Sequence, residues 1–406
     1  MRILVFAYAC EPGSGSEPGA GWMWSRLLAR FGETWVVTRA NNRDAIEAAL
    51  EGTLERDRLR FVWVDLPQWS RRWKRGQRGI RLYYMLWQLA AYRTARRLHD
   101  RMPFDMVWHV TLSTGWLGSL GALLGPPFVY GPVGGGASPS WRILPALGAR
   151  GLAYEGTREV AQGAGRYLNP IARMAWGRSR LILTENEETR RWLPRRHRGR
   201  AVVLPHVIIE DRSQAVGGSD GTSKEPGAER TALFAGRLLG WKGVALALRA
   251  IALLPEWRLI VAGSGPDERR LRKLAERLGI DGRVEFRGRV PRGVLLDMMR
   301  REASVFLFPS THDDAPWVVV EASLAGLPVV CLDVGGPPIL GGRAVPVSTP
   351  GRTARALADK VLEVAGTPPA EAEPFFIEAR EAIVGRVLAG RGLIPSPTAL
   401  RDEAAR

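Results

Sequence analysis

Residues 308–330, FPSTHDDAPWVVVEASLAGLPVV, set two carboxylates, Asp313 and Glu321, around one strand-to-helix turn. The apolar run at 305–308 reads as a buried parallel strand. Asp314 or Ala315 supplies the cap of a following helix, Pro316 suits its first turn, and Trp317 and Glu321 lie along it. The free N–H groups that open such a helix suit a phosphate or a sugar hydroxyl, and a carboxylate one or two turns in can accept hydrogen bonds from a ribose diol. A nucleotide with something attached is the ligand these residues call for. Upstream, in FAGRLLGWKG at 234–243, Arg237 and Lys242 straddle a Gly-Trp turn. Paired cations there would neutralise a departing diphosphate, because bond cleavage builds negative charge on it. The plainer alternative is a pair of solvated surface cations.

The elements that must position these groups form short apolar strands alternating with helical patterns, the signature of parallel sheets covered by helices on both faces. Expected strands are 3–8, 34–38, 61–65, 106–110, 128–130, 181–184 and 201–204, then 231–235, 258–262, 284–286, 305–308 and 329–332. Residues 210–229, EDRSQAVGGSDGTSKEPGAE, carry almost no apolar content and mark a boundary. The expected organisation is an N-terminal Rossmann-like domain at 1–205, a linker at 206–229, a C-terminal domain at 230–375 and a helical tail at 376–406 that packs back on the first domain. In open parallel sheets ligands bind beyond the carboxyl ends of the strands. Arg237 and Lys242, then Gly263 and Gly265, then Arg287, then Asp313 each follow a successive strand of the second domain, so four loops are expected to converge on one mouth.

The segments FAGRLLGWKG, VAGSGPDERRLRKLAERLG (261–279) and 308–330 together resemble the retaining glycosyltransferases of family 4, within the glycosyl transferases group 1 of bacterial polysaccharide type. The resemblance spans about 230–347; the N-terminal half matches more loosely and the last forty or so residues hardly at all. It implies a GT-B fold, two Rossmann-like domains facing a cleft, with Arg237 and Lys242 on the donor diphosphate and an acidic pair, Asp313 and Glu321, flanking the sugar and ribose. Asp313 stands where the family usually has Glu, a reach shorter by one methylene. It further implies donor contacts by Gly263, Gly265, Arg287, Asp314, Ala315, Pro316 and Trp317. His109, at the end of DMVWHV, would face the transferred sugar; a core histidine is the alternative. Gly19 and Gly21, in the loop ACEPGSGSEPGAGWMW ahead of a helix beginning near Trp22, would approach the sugar or acceptor, and Gly134 and Gly135 would line the acceptor side.

The chain has 406 residues, more than one core usually supports. Its formal net charge of +17 is a statement about partners. The densest basic stretch, residues 69–97, carries Arg71, Arg72, Lys74, Arg75, Arg78, Arg81, Arg93, Arg96 and Arg97, interleaved with Trp69, Trp73, Tyr83, Tyr84, Trp87 and Tyr92. Cations beside amphipathic aromatics suit an anionic membrane surface. The alternative is an ordinary helix whose Leu82, Met85, Leu86 and Leu89 pack on the sheet. A second basic cluster lies at 190–200, RRWLPRRHRGR. No RNA-binding motif accompanies the charge, so nucleic acid is not expected as a partner. Only Cys10 and Cys331 are present, each in or beside an apolar run, which reads as buried inert thiols and a reducing compartment. With no secretory start and no apolar stretch long enough to span a bilayer, the expected location is cytoplasmic, peripheral on the inner face of the membrane. The histidines and cysteines do not cluster at ligand spacing and no Asp-x-Asp occurs, so neither metal nor cofactor is expected.

The expected function is retaining, metal-independent transfer of a sugar from a nucleotide-diphosphate-sugar to a hydroxyl of a saccharide or lipid-linked saccharide, in cell-surface or exopolysaccharide synthesis. Rival readings are an epimerase or phosphorylase on the same fold and, further off, a basic nucleic-acid-binding or scaffold protein without catalysis.

Overall fold

A computed structural model describes residues 1–67, 80–112, 114–210 and 230–395. It divides into two compact units. The first comprises Met1–Gly136, Gln162–Glu210 and residues 375–395; the second, Ala137–Ala161 and residues 230–374. Residues 137–161 lie inside the stretch expected as N-terminal domain, yet they group with the second unit.

The first unit is built on a seven-stranded sheet of β1 (Arg2–Phe6), β2 (Glu33–Thr38), β3 (Leu59–Trp63), β4 (Met106–His109), β5 (Phe128–Val133), β6 (Ser179–Thr184) and β7 (Ala201–Val203), in the order β3-β2-β1-β4-β5-β6-β7. The second has a six-stranded sheet of β8 (Thr231–Ala235), β9 (Arg258–Ala262), β10 (Val284–Gly288), β11 (Val305–Phe308), β12 (Val329–Leu332) and β13 (Arg343–Val345), ordered β10-β9-β8-β11-β12-β13. All the pairings are parallel. Central strands such as VFLF and VVCL are buried along their whole length, as sheets covered on both faces require. These two Rossmann-like sheets are the architecture expected of a GT-B chain. The sequence reading omits β13, a three-residue edge strand with an exposed arginine, too short and too polar to register as an apolar run.

Strand order reverses between β1 and β4 and again between β8 and β11. Such reversals are where ligand-binding crevices form, beyond the carboxyl ends of the two strands that meet there. The β8 and β11 loops carry Arg237, Lys242 and Asp313, so topology alone brings them together.

The core of the first unit is aromatic. Tyr8 meets Tyr83, Tyr84 and Trp87 edge-on at centroid distances of 6.3, 5.2 and 5.1 Å. Trp87 Nε1 donates to the Val64 carbonyl at 2.7 Å, so its polar edge is satisfied inside. Tyr83, Tyr84 and Trp87 lie on the helix Ile80–Arg101 with Ala91 and Ala95, and they are its buried stripe. The spacing of Leu82, Met85, Leu86 and Leu89 suggests a core face, but these four are the exposed side, at 57%, 43%, 42% and 40%. Larger rings took the sheet-facing positions and rotated the leucines outward. The expected belt also includes Trp69, Arg71, Arg72, Trp73, Lys74, Arg75 and Arg78, which lie outside the described residues. Both cysteines are buried, and burial pushes the Cys331 thiol up to about 12. Among the described residues no helix is long and apolar enough to cross a membrane.

The helix expected to begin near Trp22 begins at Ser16 and runs to Ala29, so Gly19 and Gly21 are helical and buried rather than part of an open loop. Gly21 lets this helix approach the segment after β1: a Cβ there would stand 1.9 Å from the Ala9 carbonyl oxygen. Gly163, also helical, has no atom within 4 Å of the same position. Gly21→Ala is therefore expected to destabilise the protein by roughly 1–3 kcal/mol through forced displacement, whereas Gly163→Ala should stabilise it by about 0.5–1 kcal/mol. Urea unfolding of the two variants checks both signs.

Candidate functional site

In the second unit, the loop after β8 turns through a short 3-10 helix, Gly240–Lys242, into the helix Val244–Ala252. Gly243 joins them at φ 76, a left-handed conformation, and a Cβ there would fall 1.8 Å from the Pro309 carbonyl oxygen. The β8 and β11 loops thus touch backbone to backbone. Three further bonds lock them: the Trp241 carbonyl accepts from Thr311 N at 2.9 Å and from the Thr311 and Ser310 hydroxyls at 3.2 Å each.

This clamp sets Lys242 against Asp313. Lys242 Nζ donates to both carboxylate oxygens, at 2.8 and 2.7 Å, with the two side chains only 15% and 13% exposed. The ammonium also lies 4.5 Å from the Trp241 ring centroid, a cation–π position. The diphosphate cation and the sugar-binding carboxylate expected from the sequence are thus one ion pair. Arg237 is exposed and makes no ion pair among the described residues.

The Trp241 ring has its own support. It stacks on His312 at 4.5 Å and 24°, and His312 Nε2 lies 2.7 Å from Glu155 Oε1. Arg158 Nη1 donates to the other Glu155 oxygen at 3.2 Å. Glu155 and His312 are both buried. Gly240 packs so closely on residues 147–151 that a Cβ would meet the Leu147 carbonyl at 2.4 Å. Sequence reasoning missed Glu155, which is remote in the chain from the loop it supports.

Glu321 lies on the helix Trp317–Leu324, buried, and its Oε1 accepts from Arg292 Nε at 2.7 Å. Arg292 opens the helix after β10 and was also missed; its place after a strand was the available signal. Pro316, not Asp314 or Ala315, takes the cap position of the Glu321 helix, and no side chain caps it. Ala315 and Trp317 are buried. Gly336 N donates to the Asp313 carbonyl at 2.8 Å, and close approach of Gly335 and Gly336 fixes the backbone of Asp313 and Asp314. Gly263 and Gly265 serve a similar purpose, since a Cβ on either would meet the Gly236 or Leu238 carbonyl at 1.8 or 2.4 Å. Arg287 does not join the group. It sits on the edge strand β10, paired with Glu285 at 2.8 Å and Glu302 at 2.5 Å, and the hydrogen bond it donates to Glu285 leads the effects that raise its pKa.

In the first unit the expected sugar-facing His109 is a core residue, 1% exposed. Its Nδ1 is 2.8 Å from Ser119 Oγ, and its Nε2 is 2.8 Å from the Tyr84 hydroxyl and 3.1 Å from the Thr111 carbonyl. The carbonyl can only accept, so Nε2 carries the proton and Nδ1 accepts from Ser119. Gly134 and Gly135 are held too: the Gly134 carbonyl accepts from Gly115 N at 2.9 Å and that of Gly135 from Gln162 Nε2 at 2.6 Å.

The profile of the family Glycosyl transferases group 1 matches residues 220–373, and this segment belongs to that family. Among relatives, a D-inositol 3-phosphate glycosyltransferase of Streptomyces avermitilis is 36% identical over 180 residues, 39% of this chain and 38% of that protein. An uncharacterized glycosyltransferase of Haemophilus influenzae is 33% identical over 108 residues, 26% of this chain and 30% of that one. The chain thus spans about a third of the length of these curated relatives. Among solved structures, Anabaena HepE in complex with UDP superposes with TM-score 0.60 over 96% of this chain and 100% of that one at 16% identity. The lipopolysaccharide outer core galactosyltransferase WaaB, in its apo form, gives 0.60 over the same shares at 13%. At these identities the likeness is one of fold.

Burial pushes the His109 imidazole down to about 4, from an ordinary value of 6.5. Its neutral form is favoured in the fold, so the stability it contributes is present above pH 6.5 and is lost as pH falls toward 4. At about 1.4 kcal/mol per pKa unit, the loss is on the order of 3 kcal/mol. Urea midpoints between pH 7 and pH 4.5 should fall, and the fall should be smaller in His109→Asn, which cannot titrate there.

Proposed function

We propose that the protein is a retaining, metal-independent glycosyltransferase that takes a nucleotide-diphosphate-sugar in its second unit and passes the sugar to a hydroxyl of a saccharide or lipid-linked saccharide in cell-surface polysaccharide synthesis. The observation that carries this is the Lys242–Asp313 pair, standing with Arg237, which makes no ion pair among the described residues, at the β8/β11 reversal. A diphosphate entering there competes with Asp313 for the ammonium, while Arg237 adds a planar fork of donors suited to phosphate. Drawn from Lys242, the Asp313 carboxylate becomes an acceptor for hydroxyls of the donor sugar. Glu321, oriented by Arg292, is placed along the helix to receive the ribose. The cations stabilise charge that grows on the leaving diphosphate, which is where such stabilisation lowers a barrier. That leaving phosphate takes the acceptor proton in a front-face displacement, as the family resemblance implies. The UDP complex of Anabaena HepE supports a nucleoside diphosphate as the ligand class.

The acceptor is proposed to lie at the cytoplasmic face of an anionic membrane. The exposed stripe of Leu82, Met85, Leu86 and Leu89 continues along the same helix into exposed Arg93, Arg96 and Arg97, an apolar face with a basic end.

Titration calorimetry with UDP, GDP and ADP should find one that binds, and Glu321→Ala should weaken it; no binding by any of them would remove the donor-site reading. With the matching nucleotide sugar, Lys242→Ala should lower turnover by roughly 10²–10³-fold, and full turnover in that variant would sink the assignment. The membrane component is checked by flotation on phosphatidylglycerol vesicles at low salt. Leu82→Ser/Leu86→Ser should stay at the bottom of the gradient while the unaltered chain floats.

A further inference from the structure

The basic cluster at 190–200 is not used by the donor site, and its arginines divide into two groups. Arg190 and Arg191 pair with Glu187 at 2.7 and 3.1 Å, Arg198 donates to the Leu193 carbonyl at 2.9 Å, and Arg200 donates to the Ser179 carbonyl at 2.7 Å. Among the described residues neither Arg195 nor Arg196 has a carboxylate or carbonyl partner. Together with Arg166 and Arg173, Arg196 lines a cavity of about 300 Å³ in the first unit, whose remaining walls are Tyr167, Trp176 and Pro194. Among the described residues no carboxylate lines it, and none of the three arginines makes an ion pair.

The walls are built rather than incidental. Trp176 is fully buried, anchored by Nε1 donating to the Gly115 carbonyl at 2.9 Å, and it meets Trp192 edge-on at 5.7 Å. The Arg166 guanidinium lies over the Trp192 ring at 5.6 Å and the Tyr167 ring at 5.5 Å, which orients it without cancelling its charge. Arg196 Nε lies 3.1 Å from His197 Nε2 and Arg200 Nη2 lies 2.8 Å from its Nδ1; the neutral ring has one lone pair for the two guanidiniums and cancels the charge of neither. The His197 pKa is lowered by burial first and then by Arg200 and Arg196, which keeps the imidazole an acceptor. Three guanidiniums around one concavity repel each other unless an anion lies among them, and their planar forks match tetrahedral oxyanions.

We propose that Arg166, Arg173 and Arg196 form a second anion site, separate from the donor site, that takes a phosphoryl group of a phosphorylated ligand, with the exposed Tyr167 ring flanking the group that bears it and buried Trp176 forming the floor. The phosphoryl group belongs either to a soluble compound or to a lipid headgroup.

The test titrates inorganic phosphate and pyrophosphate into the full chain, into Arg173→Gln/Arg196→Gln and into Arg352→Gln/Arg355→Gln, which makes the same charge change on an exposed helix of the second unit. Any phosphate taken by Lys242 and Arg237 is common to all three chains, so the comparison does not depend on the donor-site reading. Binding at least tenfold weaker in the pocket variant alone is the expected result. In parallel, vesicles of phosphatidylcholine with and without phosphatidic acid are sedimented with each chain. Loss of soluble phosphate binding alone identifies a soluble ligand, and loss of phosphatidic acid binding alone identifies a lipid headgroup; either supports the site. Equal behaviour of all three chains in both arms, or equal losses in the two double variants, overturns it. Arg173 and Arg196 are exposed, so the variant should keep its urea midpoint; if it does not, Arg196→Gln alone is read in the same way.

Discussion

The ammonium of Lys242 and the carboxylate of Asp313 organise the second unit's site, and much of the surrounding structure holds that pair in place. Two unit charges near 4 Å interact by about 4 kcal/mol at the effective dielectric of a protein surface. Much of that gain offsets the cost of taking both groups out of water. What remains is position. The β8 and β11 loops approach so closely that Gly243 admits no side chain, and the Trp241 carbonyl is bound by Ser310 and Thr311. The Trp241 ring then lies on His312, which Glu155 holds from a distant part of the chain. A lysine on a flexible stem would lose considerable rotamer freedom on binding an anion. Here that loss is largely incurred on folding, so an incoming ligand need not supply it.

The pairing also sets the electrostatics of this surface. Lys242 is balanced by Asp313 and Glu321 is held by Arg292, so Arg237 is left as the exposed cation of the group. An anion meeting this surface first encounters an arginine whose charge is not spoken for. It reaches the lysine only by displacing a carboxylate.

The strands were legible in the sequence because parallel strands buried on both faces must be apolar throughout, and runs such as VFLF and VVCL have no other economical use. The site loops were legible because glycines and charges follow those strands directly. What was not legible depended on contacts between distant residues. Nothing in the local pattern around Glu155 says that it will support His312, and nothing near Arg292 says that it will face Glu321. The helix at 80–101 failed for another reason: two stripes on it are hydrophobic, and periodicity cannot say which one the sheet will choose. Tyr83, Tyr84 and Trp87 won that choice because they bury more apolar area and because Tyr8 presents a ring to pack against. His109 shows the converse. Its place at a strand end suggested an open site, but Tyr84 and Ser119 reach its ring from either side and close it into the core.

The excess of positive charge takes on meaning only once its partners are known. Within 190–200, Arg190 and Arg191 are offset by Glu187, and the same holds for Arg270 against Asp267 and Arg287 against Glu285. Arginines held only by aromatic rings or a neutral imidazole, as Arg166 and Arg196 are, keep their field. Such an arrangement is costly for folding alone, since a carboxylate at any of these positions would relieve the repulsion.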